Sequence, residues 1–281
     1  MMGAFWMVIR ILLLGYERIA GSKISKGSPT FVAAWGFFFF SFIAFAPFFN
    51  SLTFNSILRA LLSGTIYSIS FTLYTYALGH EDTSVVAPLY NLNAIFLVFL
   101  SSIFLGEKLS VWKILGAVMM VYGISFLKKG ENLRISYVNL LKSKGALSMI
   151  LASLLMAFGR IVDRRLTINS DPLNYSVAIY LVISAYIFLY GVLYGNSPGE
   201  YLDLVRTKWP HLIAGGICNA YSYYALLRAF NYLGVSVAEP LSMLSVFVTM
   251  FFAKLLIREH IGLRIVAAVF LISGAFLVYV S

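Results

Sequence analysis

Two charges stand out because the residues around them are apolar: Arg228 and Glu239, on either side of a bend at Leu233-Gly234. At about 1.5 Å of rise per residue, both lie about 7–8 Å below that bend, at matching depth on antiparallel helices. A charge on a membrane helix costs about 2.5–3.5 kcal/mol on insertion scales, so such residues pair or line a cavity. The expectation is a partnership beside a binding site, one that opens to take a zwitterionic or proton-coupled substrate. Pro240 follows Glu239 and has no N–H, which frees a carbonyl one turn earlier, near Ser236. Tyr224 and Tyr221 lie alongside. Thr65, Ser68, Thr72 and Tyr76 recur at helical spacing and share a face. Such a stripe either lines a cavity or serves as hydroxyl glue between helices. Asn91 and Asn93 cannot share a face, and Asn93 with Tyr90 is the preferred inward pair. The expected substrate-binding set is Glu239, Arg228, Tyr224, Tyr221, Tyr76, Thr72, Ser68 and Asn93, with Glu239 as a candidate coupling residue.

Other chemistries find no support. His80, His211 and His260 sit at loop edges without metal-ligand spacing, so no metal is expected. There is no Ser-His-Asp set, phosphate loop or cysteine cluster, so neither an enzyme nor a cofactor is expected. The one cysteine, Cys218, excludes an intrachain disulfide and reads as a packing residue.

The elements that must position these residues follow from composition. Of 281 residues, 60% are apolar and 11% charged, where a soluble domain carries roughly 25% charged. Apolar runs lie near 3–21, 29–49, 56–79, 83–105, 109–128, 143–163, 171–194, 208–232, 234–257 and 261–280. Each approaches the 20 or so residues that cross hydrocarbon as a helix. The fold class is therefore an all-α polytopic membrane protein of about ten transmembrane helices. The first run lacks a basic n-region and resembles a later segment, so it reads as a helix and not a signal peptide. The net charge of +10 lies mostly in the short gaps, where it suits phospholipid headgroups and not nucleic acid. The lipid bilayer is thus one partner and a small-molecule substrate the other, with the chain a monomer or homodimer.

The strongest signal is an internal repeat. A shift of 152 lays Gly64 on Gly216, Ser84 on Ser236, Pro88 on Pro240 and Glu107 on Glu259. A shift of 142 lays Gly3-Ala4 on Gly145-Ala146 and Arg18-Ile19 on Arg160-Ile161. A shift of 151 lays Gly123 on Gly274 and Gly116 on Ala267, small residues that mark close helix approach. The expected organisation is a first repeat over 1–130, a linker over 131–142 and a second repeat over 143–281. An odd number of helices per half inverts the second repeat, as in secondary transporters with a midplane site. Glu107 and Glu259, at helix ends beside basic residues, are expected to cap or pair.

A Pro-containing helix ending in Leu105-Gly106-Glu107-Lys108-Leu109, followed by Gly116 and Gly123, resembles the EamA domain of the drug/metabolite transporter superfamily. Ala238-Glu239-Pro240, Ile257-Arg258-Glu259 and Gly274 repeat the pattern in the second half. The resemblance implies a secondary active carrier that moves a small polar metabolite, such as an amino acid, by alternating access in the plasma membrane. It also implies a candidate coupling role for Glu17, since relatives in that superfamily use a first-helix carboxylate. An Arg160–Asp163 pair at i, i+3 explains the matching cluster in the sixth helix without a transport role. The alternatives are a lipid-linked substrate flippase, for which Arg10 and Arg228 are suited, a nucleotide or sugar-phosphate exchanger, and a channel. Lys and Arg at helix ends favour both termini outside, whereas the resemblance implies both inside.

Overall fold

The computed structural model describes residues 2–105, 110–124, 126–127, 132–167, 171–233, 238 and 241–280. Among these, every regular element is helical: α1 Met2–Ser25, α2 Thr30–Ile43, α3 Phe54–His80, α4 Thr83–Tyr90, α5 Leu92–Leu105, α6 Val111–Ile124, α7 Leu133–Lys142, α8 Lys144–Thr167, α9 Pro172–Leu193, α10 Pro198–Phe230, α11 Ser245–Phe252 and α12 Arg264–Val280. A 3₁₀ turn, Ala46–Ser51, follows α2, and a π turn, Ala253–Ile257, extends α11. Among the described residues, four stretches are long and apolar enough to cross a membrane: Phe54–His80, Thr83–Phe104, Lys144–Asp163 and Pro172–Leu193. Four shorter apolar helices accompany them: Thr30–Ile43, Val111–Ile124, Ser245–Ile257 and Arg264–Leu277.

Local chemistry sets the boundaries. The Thr53 side chain accepts from Ser56 N while Ser56 answers Thr53 N, a capping box that opens α3. Ser197 and Glu200 form the same box ahead of α10, with Pro198 at the first helical position. The polar segment expected as a gap before 208 is therefore the start of one helix of 33 residues, about 50 Å long. The expected linker over 131–142 likewise carries a helix, α7, capped by Asn132 accepting from Ile135 N at 3.0 Å. Its Leu140 is buried, and Tyr137 donates to the Val121 carbonyl at 2.7 Å.

The two halves are interleaved and inverted. At one end of α1, Gly3 lies against Leu233, and at the other Lys208 donates to the carbonyl of Ile24 at 2.8 Å, so α1 and α10 run antiparallel. Gly145 on α8 meets Glu81, and Ser70 of α3 donates to the Ala152 carbonyl at 2.9 Å, which is the same pairing in the other half. Gly64 packs on Val182 of α9, and its repeat partner Gly216 packs on Phe40 of α2. On α6, Gly123 meets Ala267 and Phe270, while Gly274 of α12 meets Gly116 and Met120. As one chain position rises the other falls, so these two equivalent helices run antiparallel. Each half's first helix is therefore completed by the other half's third.

Both halves also break a helix at the same place. Pro88 removes a donor in α4, and the chain tightens to i→i+3 bonding, with Ala94 N on the Asn91 carbonyl at 3.1 Å. The equivalent bond, Val246 N on the Met243 carbonyl at 3.0 Å, precedes α11. Ser153 of α8 donates to the Leu89 carbonyl at 2.9 Å, which satisfies backbone at the first break from the opposite half.

The close approaches make a testable demand. A β-carbon at Gly216 would lie 2.6 Å from the Phe40 backbone, and one at Gly274 would lie 2.5 Å from the Gly116 carbonyl. Gly216→Ala and Gly274→Ala are each expected to cost about 1–3 kcal/mol by overpacking. Thermal unfolding in detergent checks this, with Gly199→Ala, whose surroundings hold only ordinary contacts, as the unchanged comparison.

Candidate functional site

Two i, i+4, i+7 arrangements converge at the centre. Arg10, Leu14 and Glu17 project from α1, and Tyr67, Phe71 and Tyr74 from α3. Ile179, Tyr180 and Ile183 of α9, Asn219 and Tyr223 of α10, Tyr90 of α4 and Arg160 of α8 complete the wall. They border about 460 Å³ of space between atoms, a volume that includes solvent at the open mouth. Both repeats contribute, so this chamber lies at their interface.

In and behind the wall, polar groups gather in two clusters. Asp163 of α8 accepts from Ser63 Oγ at 2.7 Å, Tyr67 OH at 2.6 Å, Tyr223 OH at 3.1 Å and also from Tyr175 OH. Four hydroxyls on one carboxylate meet its lone pairs away from water. The Arg160 guanidinium lies over the Tyr223 ring at 5.2 Å. In the second cluster Tyr74 OH donates to Glu17 Oε1 at 3.1 Å. Arg18, fully buried, stacks over Tyr90 at 4.8 Å and donates to Ser245 Oγ and Thr249 Oγ1, both at 3.1 Å. Arg10 Nη1 donates to Ser222 Oγ at 3.0 Å.

The expected site residues fall differently. Glu17 lines the chamber. Glu239 lies outside the described residues, as do Pro240, Ser236 and Glu107, so the Arg228–Glu239 pairing has no geometry to report. Arg228 sits at the rim of α1, its guanidinium over the Trp6 ring at 5.5 Å, and Tyr224 meets the same ring edge-on at 5.8 Å. Tyr221 donates to the Ala44 carbonyl at 3.0 Å, closing the end of α2. Along α3 the hydroxyl stripe is off the chamber. Thr72 donates to the Ser68 carbonyl at 2.8 Å, and Ser68 to the Thr65 carbonyl at 2.8 Å. Tyr76 stacks on His80 at 4.0 Å. Thr72, Ser68 and Tyr76 do not line this chamber: short hydroxyls satisfy themselves on their own helix, and the neighbouring Tyr67-Phe71-Tyr74 face turns inward. Asn93 is buried but outside the chamber, while Tyr90 lines it. The signal that could have found the missed wall is the pair of aromatic and charged stripes at spacing 4 and 3.

Glu259 answers its expectation as a cap. Its carboxylate accepts from Thr83 N at 2.8 Å, Ser84 N at 2.9 Å and Ser84 Oγ at 2.7 Å, so the second half caps α4 of the first. Arg264 joins, bonded to Ser84 and to Asp82 at 2.6 Å.

A model of the EamA-like transporter family matches residues 1–128 and again 143–280. The chain belongs to the EamA-like transporter family. As a member it is a multi-pass integral membrane protein of two repeats, and its family is one of transporters. The uncharacterized transporter YoaV of Bacillus subtilis (strain 168) is 21% identical over 216 residues, covering 77% of this chain and 72% of its own. A protein crystal structure has the same fold at a TM-score of 0.65 and 16% identity, over 98% of this EamA-like chain and 95% of that one.

The Asp163 cluster yields a contrast. Tyr67→Phe removes a hydrogen bond to a buried charge and is expected to cost about 1.5–3 kcal/mol. Tyr76→Phe, on the stacked outer face, is expected to change thermal stability by less than about 0.5 kcal/mol; unfolding of both variants in the same detergent checks the difference.

Proposed function

We propose that this chain is a secondary active carrier that moves a small polar metabolite across the plasma membrane by alternating access, without altering it chemically. The observation that carries the reading is the central chamber. Its charged and aromatic wall is drawn from both inverted halves, beside helices that break at equivalent points. Charges held inside a membrane bundle mark substrate or ion pathways. Glu17 is the described carboxylate that reaches the chamber, which supports it as a coupling residue, with Glu239 kept as a second candidate from the sequence. Arg228, Tyr224, Tyr221, Tyr76, Thr72, Ser68 and Asn93 remain candidates for the route in and out of the chamber. The cap of Glu259 on Thr83 and Ser84 suits a closure that parts when the chamber opens on that side.

Reconstituted vesicles test the reading. Labelled amino acids and related metabolites are expected to show saturable counterflow, and unitary conductance in a planar bilayer would instead make the chain a channel. Glu17→Gln is expected to lower uptake and remove its pH dependence. Uptake with an unaltered pH profile takes Glu17 out of the coupling mechanism.

A further inference from the structure

Within the chamber, one charge has no opposite partner. Among the described residues, Arg10 and Arg160 line the wall against one acid, Glu17. Arg18 and Asp163, both buried, add one charge of each sign, so among the described residues the excess stays at one positive charge. Arg10 is only 3% exposed. Its Nη1 bonds Ser222 Oγ, a neutral acceptor, and among the described residues no carboxylate stands within salt-bridge distance of it. Its Nε is buried and has no hydrogen-bond partner at all. A buried guanidinium with an unused N–H, facing a chamber, lacks an anion.

The rest of the wall limits what the anion is attached to. Tyr67 and Tyr223 turn their hydroxyls back to Asp163, while Tyr74 and Tyr180 spend theirs on the wall residues Glu17 and, at 3.0 Å, Asn219. With the hydroxyls engaged, these rings and Phe71 offer the chamber their faces and edges. That surface suits a flat, unsaturated body and leaves a polyhydroxylated one poorly hydrogen-bonded.

We infer that the chamber binds an organic monoanion with an aromatic body, its acidic group docked on Arg10 and its ring against Tyr67, Phe71, Tyr74 and Tyr180. Arg10 presents Nε and an Nη in one plane, the fork that takes a carboxylate by two parallel bonds. The inference rests on the carrier reading for its purpose, though not for its geometry.

The test uses purified full-length protein in detergent and four probes: phenylacetate, phenylalanine, phenethylamine and glucose 6-phosphate. Phenylacetate is expected to raise the unfolding temperature and to bind by calorimetry at least tenfold more tightly than the other three. Arg10→Gln is expected to weaken phenylacetate at least tenfold and Arg10→Lys by less, since the charge survives without the fork. Equal binding of phenylalanine or phenethylamine, tighter binding of glucose 6-phosphate, or unchanged affinity in a folded Arg10→Gln variant overturns the inference. The probe ranking on the unaltered protein stands even where a variant does not fold. Vesicle counterflow separates the two readings. Phenylacetate that binds but does not exchange leaves the anion site and removes the carrier. Phenylalanine exchange that phenylacetate does not inhibit leaves the carrier and removes the anion site.

Discussion

Asp163 sits on a helix whose outer surface is apolar, with Leu147 and Leu151 facing outward on the same element. Lipid offers a carboxylate nothing, so every lone pair must be met from inside the protein. Ser63 and Tyr67 come from α3, Tyr175 from α9 and Tyr223 from α10, and each is fixed by its bond to that one residue. The requirement to satisfy a single buried acid thus ties four helices together. It also turns two of the tyrosine rings towards the chamber. Arg18 poses the same problem on the opposite side and is met in part, by the Tyr90 ring and by Ser245 and Thr249 on Nη1.

Interleaving follows from where those partners are. Neither half holds the complete set of polar groups that its own charges need, so neither is a finished unit. The glycines make the exchange sterically possible. At Gly216 and Gly274 a neighbouring backbone occupies the space a side chain would take. The first Pro-containing helix is supported in the same manner from the other half, by Ser153 at its break and by Glu259 at its start. Relative movement of the halves would exchange these polar bonds. A carrier needs that kind of two-position contact.

Selectivity in such a chamber comes from what the wall leaves unused. Hydroxyls already bonded to Asp163, Glu17 and Asn219 hold the rings in place and leave fewer donors for a ligand. The ligand then meets π surfaces, one acid and two guanidinium groups. This arrangement differs from a hydroxyl-lined route, in which each Ser and Thr is available to a passing solute.

The sequence by itself determined the helical membrane class, the two-fold repeat and the family resemblance, because these rest on composition, run length and coincidences of Pro, Gly and Glu at fixed shifts. It also identified the role of Glu259, since an acid at a helix end has few uses. The chamber wall was decided by tertiary structure alone. In lipid both faces of α3 are acceptable to the local chain, and helical spacing offers the hydroxyl stripe and the Tyr67-Phe71-Tyr74 stripe on equal terms. The choice is made by the partner across the interface: Asp163 stands nearly a hundred positions away and draws the tyrosine face inward. Thr72 and Ser68 need no such partner, because a short hydroxyl can bond a carbonyl of its own helix. Only the packed bundle shows which face meets the acid, and that contact is what makes the chamber.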